Sequence, residues 1–484
     1  MASLEELRNE RLRKLQILKE YGMDSYPSSS EREFSLVEIE KEFDELSKKE
    51  KVVVAGRIMA LRGQGALLFL DINDGTGRFQ ALLKKGDLPD VLFKLFKDTV
   101  DIGDFVELKG NLFITQRGEK TIGVVDWKML SKSLQPLPDK WHGIADEETR
   151  FRKRYLDILL NNELREILEK KTKFWEVTRS FMKKKGFFEV ETPTLELTTG
   201  GAEANPFRTH LDDFDVDVFL RISIGELWQK RLMVAGLDKT FEIGRAYRNE
   251  GSSPNHLQEF TNMEFYWAYA NYKDGMRLTQ ELYKAIAEEV FGTMKFVTGN
   301  HEYDFSGEWA CVDYQEEILK QTGIDVLVSS PKEITEKLKE LKVVYEGDNL
   351  ERLTDTLWKY CRKNISGPVF LINHPKLVSP LAKSLKEKPE CTERFQIIIA
   401  GSEVGNGYSE LNNPIEQRAR FEEQKKLLEG GDGEAMMSDL EFVEALEHGM
   451  PPTCGFGFGE RLFAFLVNKP LREVQFFPFM KPKD

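Results

Sequence analysis

The residues best suited to chemistry lie between Thr240 and Ala270, in TFEIGRAYRNEGSSPNHLQEFTNMEFYWAYA. The stretch reads as two strands joined by a polar loop, with Gly251, Ser252, Ser253, Pro254 and Asn255 as turn formers. Strand side chains alternate between faces. Arg248 and Glu250 are therefore expected on one side of the first strand, with small Gly244 and Ala246 leaving room there for a ligand. On the return strand Phe260, Glu264 and Tyr266 share a side, and Met263, Phe265 and Trp267 take the other. One face is then an apolar backing. The other offers a guanidinium, two carboxylates, an aromatic ring and a phenol. A guanidinium fork suits phosphate or carboxylate, a ring can stack a base, and carboxylates can hold an amine. A single Arg-x-Glu is more often a solvated strand face; the whole arrangement is what carries weight.

Three other stretches add functional groups. In Leu220–Lys230, Glu226 stands just before an expected helix. EVGNGYSELNNP supplies Glu403, Asn406, Tyr408 and Glu410, and Gly405 and Gly407 loosen the strand so that alternation does not decide which side chains point inward. In CGFGFGERLFAFL a glycine-rich strand runs into Arg461 and an apolar helix, and a helix start with an arginine is a ready anion site. The six histidines are scattered with no Ser/His/Asp arrangement, which argues against a hydrolase triad.

The chain that must position these groups has 484 residues, enough for two or three cored domains. Charged residues are 31% and apolar ones 40%, ordinary for a soluble globular protein. No apolar run reaches a membrane span, and the N-terminus has no apolar signal core. Cys311, Cys361, Cys391 and Cys454 are scattered without a C-x-x-C pair, which points to a reducing cytoplasm and away from structural zinc. The formal net charge of -13 counts against nucleic acid as a partner without excluding local basic patches. Residues 3–21 and 36–48 read as helices. Residues 51–137 hold five short strands with Gly and Asp turns, the pattern of a small barrel, with an OB-fold as the natural candidate. Pro136 and Pro138 stop the barrel, and a helix follows over 163–185. Later, GDNLERLTDTLWKYC reads as an amphipathic helix before an apolar strand, VFLIN, and EQKKLLEGGDGE as a helix end and turn.

The whole Thr240–Ala270 arrangement resembles motif 2 of the class II aminoacyl-tRNA synthetases, with Tyr247 in place of the first Phe of the Phe-Arg-Asn-Glu core. GFFEVETPTLELTTGGAEANPF resembles motif 1, ending its strand at Pro193, and the Gly455–Arg461 stretch resembles motif 3. GELWQKRLMVAGLDKTFEIGRAYRNEG, LQPLPDKWHG, HPKLVSPLA and the early GMDSYP are closest to the lysyl-tRNA synthetases, and the resemblance runs from residue 3 to the C-terminus. It implies an α+β chain: a helical segment over 1–50, an OB-fold anticodon-binding barrel over 51–137, a linker over 138–160, and a class II catalytic domain over 161–484 whose antiparallel sheet is flanked by helices. It also implies a cytoplasmic homodimer built through motif 1, with ATP, lysine and the lysine tRNA as partners and magnesium as cofactor. Carried over residue by residue, Arg248 holds the α-phosphate and the lysine carboxylate, Phe260 stacks on adenine, Glu250 accepts from its amino group, His256 touches the polyphosphate, and Arg461 neutralises the γ-phosphate. Glu403 binds magnesium. Glu226 takes the α-amino group of lysine, with Gly201 close by; Glu264, Tyr266 and Glu410 surround the side-chain ammonium, and Asn406 and Tyr408 line the pocket. Phe69 and Gln80 read anticodon bases, while Arg57 and Arg62 hold phosphates.

Several residues depart from the family text. Gln396 stands where a second magnesium-binding Glu is common, seven residues before Glu403, and Asn205 stands where a cation is usual. Thr76 is an extra turn residue, and Asp126 replaces a frequent Glu. Gly455, Gly457, Gly459 and Arg461 are one residue tighter than Gly-x-Gly-x-Gly-x-x-Arg, so either the strand is shifted or the arginine leaves a shortened turn. The rival readings are an aspartyl or asparaginyl enzyme, a ligase that lysylates protein, and a nucleic-acid-binding module without catalysis. The first needs a cation where Glu264 and Glu410 stand, the second usually lacks the barrel, and the third has no need of Arg248, Glu250, Glu403 and Arg461.

Overall fold

A computed structural model describes residues 3–138, 146–202, 204–251, 253–254, 256–345, 347, 349–430 and 436–483. Residues 139–145 of the expected linker, Ser252 and Asn255 of the motif 2 loop and 431–434 of the GGDGE turn lie outside the described residues. The chain divides into two compact units, Met1–Leu160 and Asn161–Asp484.

The first unit opens with the helix Leu4–Tyr21, started by a Ser3–Glu6 capping box and stopped at Gly22 (φ +86°). The second expected helix is two short ones, Leu36–Lys41 and Phe43–Leu46, because Glu42 leaves helical geometry (φ -104°, ψ 23°). Five strands then close a barrel: β1 Val52–Gln64, β2 Leu67–Asn73, β3 Arg78–Lys84, β4 Phe105–Ile114 and β5 Lys120–Ser131, in the order β1-β2-β3-β5-β4. Alternation does the sorting. Leu68, Leu70 and Ile72 point into the core, while Phe69, Asp71 and Asn73 point out. A helix the sequence reading did not anticipate, Asp90–Thr99, connects β3 to β4 and packs Phe96 edge-on against Trp127 at 4.9 Å.

The second unit begins with the helix Asn162–Lys184, which buries Phe174, Val177 and Met182. Its strands are β6 Phe188–Glu189, β7 Leu195–Glu196, β8 Arg208–Leu211, β9 Val216–Leu220, β10 Lys239–Tyr247, β11 Glu259–Ala268, β12 Lys295–Thr298, β13 His301–Asp304, β14 Ala310–Asp313, β15 Val369–Ile372, β16 Arg394–Ile399, β17 Ser402–Ser409 and β18 Thr453–Gly459. Eight of them form one sheet in the order β14-β15-β16-β17-β18-β11-β10-β6. Its pairs are antiparallel except β14 with β15 and β10 with β6. Met263, Phe265, Phe456 and Phe458 form the buried face, covered by Leu278, Leu282, Tyr283 and Ile286 of the helix Tyr272–Ile286. The opposite face is left for a cleft. The amphipathic helix expected before VFLIN is Leu350–Cys361, and the apolar strand is β15. No helix among the described residues is long and apolar enough to cross a membrane.

Candidate active site

Four neighbouring strands, β11, β18, β17 and β16, lay out the site as rows across the sheet. In one row Glu264, Gly457, Asn406 and Gln396 are successive partners; in the next the partners are Tyr266, Gly455, Tyr408 and Arg394. The glycines of β18 make the rows possible. A Cβ on Gly455 would lie 2.1 Å from Glu410 Oε1, one on Gly457 2.9 Å from Glu264 Cγ, and one on Gly459 1.9 Å from Asn262 Oδ1. The alternating phenylalanines go to the core, and the missing side chains give space to the polar groups of β11 and the Glu403–Glu410 stretch. The glycine spacing thus serves an acidic pocket as well as any approach to phosphate.

β17 carries the feature that alternation does not decide. Ile397 pairs with Gly405 but Ile398 pairs with Glu403, so Val404 is an extra residue. Val404 is buried in the core, and a Cβ on Gly405 would strike Phe456 and Tyr283 on that side. The bulge thereby turns Glu403 to the cleft with Asn406, Tyr408 and Glu410, despite its odd number.

The cleft has a volume of about 540 Å³. It brings together every residue expected around ATP, lysine and magnesium: Gly201, Glu226, Arg248, Glu250, His256, Phe260, Glu264, Tyr266, Gln396, Glu403, Asn406, Tyr408, Glu410 and Arg461. Some reach it by routes other than those expected. β10 stops at Tyr247, so the pleat does not place Glu250; the Arg248 amide still donates to Gln258 O at 2.8 Å, and the chain then turns. Gly244 leaves no room for a ligand. A Cβ there would lie 2.2 Å from Arg221 Nη2, because the Arg221 guanidinium fills the space and pairs with Glu242 at 2.6 Å. Glu226 is the first residue of the helix Glu226–Val234 rather than preceding it, after Gly225 in left-handed geometry (φ +61°). Asn205 is not among the lining residues; its carbonyl accepts from the Asn249 amide.

One end of the cleft is cationic. The Arg248 guanidinium lies 5.3 Å from the Phe260 ring centroid, and His256 Nδ1 is 2.7 Å from Ser253 Oγ. β18 pairs with β11 and β17 without a register shift and runs directly into the helix Glu460–Leu466. No residue separates the strand from the helix, so Arg461 is presented from the helix's first turn. Glu460 anchors that turn by accepting from Thr261 N and from Lys171, 2.9 Å each, and Arg461 donates to Glu403 O at 3.4 Å. Arg362, which the sequence reading missed, lines the same cleft, and its carbonyl would be 3.4 Å from a Cβ on Gly401 in the β16–β17 turn. Among the described residues Arg248, Arg362 and Arg461 have no ion pair with a carboxylate. Burial pulls the Arg461 pKa down, Glu403 opposes this, and Arg362 and Arg248 add to it.

The other end is acidic. Glu264 Oε1 accepts from the Ile224 amide at 2.7 Å and Oε2 from Tyr266 Oη at 3.0 Å. Glu226 Oε1 accepts from Lys230 at 2.7 Å and from Tyr408 Oη. Glu410 Oε2 lies 2.6 Å from Lys230 Nζ in an ion pair without hydrogen-bond geometry, and its Oε1 meets no donor. Burial, with the neighbouring carboxylates, pushes Glu264 up to about 7 and Glu410 up to about 8, the latter against the pull of Lys230. Lys230 is the second residue the sequence reading missed. His374 also faces the cleft, and its burial, with the Arg394 charge, drives its pKa well below the usual value.

For a divalent cation the chain offers Glu403 and Gln396. Gln396 Nε2 donates to Glu403 Oε2 at 2.8 Å, and its buried Oε1 has no partner. Among the described residues no cluster of three His, Cys, Asp or Glu suits a metal. One carboxylate and one orphaned amide oxygen fit magnesium that takes its remaining ligands from phosphate and water.

In the barrel, register places Arg62 opposite Phe69 and Asp71 opposite Gln80 on the outward face. Arg62 is paired with Asp71 at 3.0 Å, and Arg57 lies 4.2 Å from the Phe105 ring centroid, so both cations already have partners. Gln80 Nε2 donates to Thr121 Oγ1 at 2.7 Å. Thr76 accepts from the Val37 amide, so the extra turn residue ties the barrel to its own N-terminal helices.

Residues 146–481 match the model for class II tRNA synthetases (D, K and N), and residues 52–130 match that for an OB-fold nucleic acid binding domain. The chain belongs to the class II tRNA synthetases. The synthetase is 44% identical to the lysine–tRNA ligase of Thermotoga maritima, over 99% of this chain and 97% of the relative. It is 42% identical to the lysine–tRNA ligase of a Roseiflexus species, over 99% of this chain and all of the relative. An enzyme of the same name from Thermosipho africanus is also 42% identical, over 99% and 97%.

Proposed function

We propose that the protein is a lysine–tRNA ligase that activates L-lysine with ATP and passes it to the terminal ribose of the lysine tRNA. The observation that carries this reading is one cleft with Glu226, Glu264 and Glu410 at one end and, at the other, Arg248, Arg362 and Arg461, which have no carboxylate partner among the described residues. A pocket for aspartate or asparagine needs a cation where this one has acids. Glu410 Oε1, buried without a donor, is the open acceptor for a substrate ammonium, since Glu264 already accepts two hydrogen bonds.

In this reading Phe260 stacks on adenine and Glu250 accepts from its amino group. Arg248 aligns the lysine carboxylate with the α-phosphorus, and Arg461, Arg362 and His256 hold the outgoing pyrophosphate. The carboxylate attacks, the phosphorus–oxygen bond to pyrophosphate breaks, and no enzyme nucleophile is needed. Positioning and charge neutralisation supply the catalysis. Magnesium, held by Glu403 with the Gln396 amide oxygen, supplies charge neutralisation at the phosphates when bound. Residues 51–137 read the anticodon through Phe69 and Gln80, and residues 161–484 carry the chemistry. The enzyme works in the cytoplasm as a homodimer through motif 1.

ATP–pyrophosphate exchange with each of the twenty amino acids tests the reading. Lysine alone supports exchange. Exchange with aspartate or asparagine instead, or with none, overturns it. Light scattering of active enzyme at micromolar concentration gives a dimer mass; a fully active monomer removes the dimer.

A further inference from the structure

The mechanism above leaves one buried charge unused. Lys230 is 1% exposed, at the core of the acidic end. It stands one helical turn after Glu226, and its ammonium lies 2.7 Å from Glu226 Oε1 and 2.6 Å from Glu410 Oε2. Tyr408, Phe442 and Tyr266 ring it at 5.4, 5.8 and 6.0 Å from their centroids. The helix that carries it is locked at its root. Gln229 donates to Ile224 O at 2.9 Å and accepts from Thr240 Oγ1 at 3.0 Å.

The two carboxylates use their oxygens in the same way. Each gives one oxygen to Lys230. Glu226 Oε2 is left 2.8 Å from where a Cβ on Gly201 would stand, and Glu410 Oε1 is left 2.1 Å from where a Cβ on Gly455 would stand. Both glycines line the cleft. Each remaining oxygen therefore lies beside a glycine of the cleft wall, with Lys230 between the two carboxyl groups.

We propose that Lys230 is a positioning and specificity residue, whose ammonium bridges Glu226 and Glu410 and sets their free oxygens at the separation of the two ammonium groups of the substrate lysine. The proposal rests on the lysine reading of the cleft. Charge supports it. Three buried carboxylates repel one another, and an ammonium shared by two of them leaves a net negative charge that the α-amino and side-chain ammonium groups balance. Without Lys230, Glu226 and Glu410 lose their common anchor and the spacing loosens. A diamine acid one methylene shorter, such as ornithine, then reaches both acceptors as easily as lysine does.

The test uses the full-length enzyme in lysine-dependent and ornithine-dependent pyrophosphate exchange. Wild-type exchange with lysine checks the underlying reading by itself. Lys230→Met keeps the length and removes the charge. The expected result is a lysine KM raised about tenfold or more, an ATP KM within about twofold of wild type, and a lysine-over-ornithine preference reduced about tenfold. An unchanged preference, or ATP and lysine constants that worsen together, shows a purely structural lysine and overturns the proposal. If Lys230→Met gives no folded enzyme, Lys230→Arg retains the charge and moves its position. A changed preference at constant ATP KM then supports the spacing role, and an unchanged preference overturns it. In a chain already carrying Glu410→Gln, Lys230→Met adds much less to the lysine KM than it does alone. Additive effects place Lys230 outside this arrangement.

Discussion

At the scale of single residues, the acidic end of the cleft is a problem of buried charge. Glu410 and Glu264 retain protons near neutral pH because desolvation disfavours their ionised forms. A substrate ammonium binds best to the ionised carboxylates. The proton on an acid with a raised pKa must therefore leave before lysine binds, and raising the pH from about 6 to about 9 removes it across the values of about 7 and 8. The lysine dissociation constant, measured by calorimetry without ATP, falls over that interval, while that of ATP changes little. Glu410→Gln flattens the profile and raises the lysine KM by roughly ten- to hundredfold at constant ATP KM, since a charged hydrogen bond is worth roughly 1.5–3 kcal/mol. Damage to ATP binding with lysine binding intact would move Glu410 to the nucleotide side and make Glu264 the chief acceptor. Gln396 poses the converse question. Gln396→Glu puts a second carboxylate against Glu403, 2.8 Å from the present amide nitrogen. The two acids repel unless a cation sits between them, so the variant loses thermal stability without magnesium and regains it with the ion. It also reaches half-maximal activity at lower magnesium. A melting temperature that does not respond to magnesium would exclude this site.

At the scale of elements, β18 acts as a spacer strand. Its phenylalanines seal the core and its glycines hold open the pocket wall. Gly455→Ala puts a methyl group 2.1 Å from Glu410 Oε1 and 2.6 Å from Tyr266 Cε1. Overpacking costs roughly 1–3 kcal/mol, readable as a lower urea midpoint at unchanged slope. The side chains forced aside belong to the acidic end, so the lysine KM rises more than the ATP KM. An equal rise in both would mean that the strand shifts as a whole. The bulge at Val404 is the complementary device. It reverses the faces of Ser402 and Glu403 relative to the rest of β17, and so turns Glu403 to the cleft.

At the scale of the molecule, reading and activation belong to units with separate cores. The barrel core runs from Leu18 to Met129, and the remaining three clusters lie wholly in the second unit. Phe69 is on the outward face of the first unit and contributes nothing to the cleft. Phe69→Ala should leave pyrophosphate exchange nearly intact and lower kcat/KM for tRNA charging, with roughly 1–3 kcal/mol lost per unstacked base. Equal losses in both assays would make Phe69 a packing residue. The lining residues of the cleft come from segments as distant as Gly201 and Arg461, which is why no window of sequence contains the site.

Sequence alone determined whatever depends on local pattern. The five barrel strands and the helix Asn162–Lys184 were legible from periodicity, because one side of each must be buried. The helix Asp90–Thr99 was passed over, although Phe93 and Phe96 fall three apart on its buried side. The site residues were legible through family text rather than geometry, and three placements show the limit. Alternation assigned Gly244 to a ligand, but Arg221 from another strand end fills that space. Alternation was silent on Glu403, and a single bulged residue settled its direction. Lys230 reads in sequence as one of many helical lysines. Only the meeting of the helix Glu226–Val234 with the end of β17 makes it a buried cation shared by two acids. Backbone pattern is local and survives in one dimension, whereas the partner of a charge and the occupant of a space are decided by chain segments that only the tertiary fold brings together.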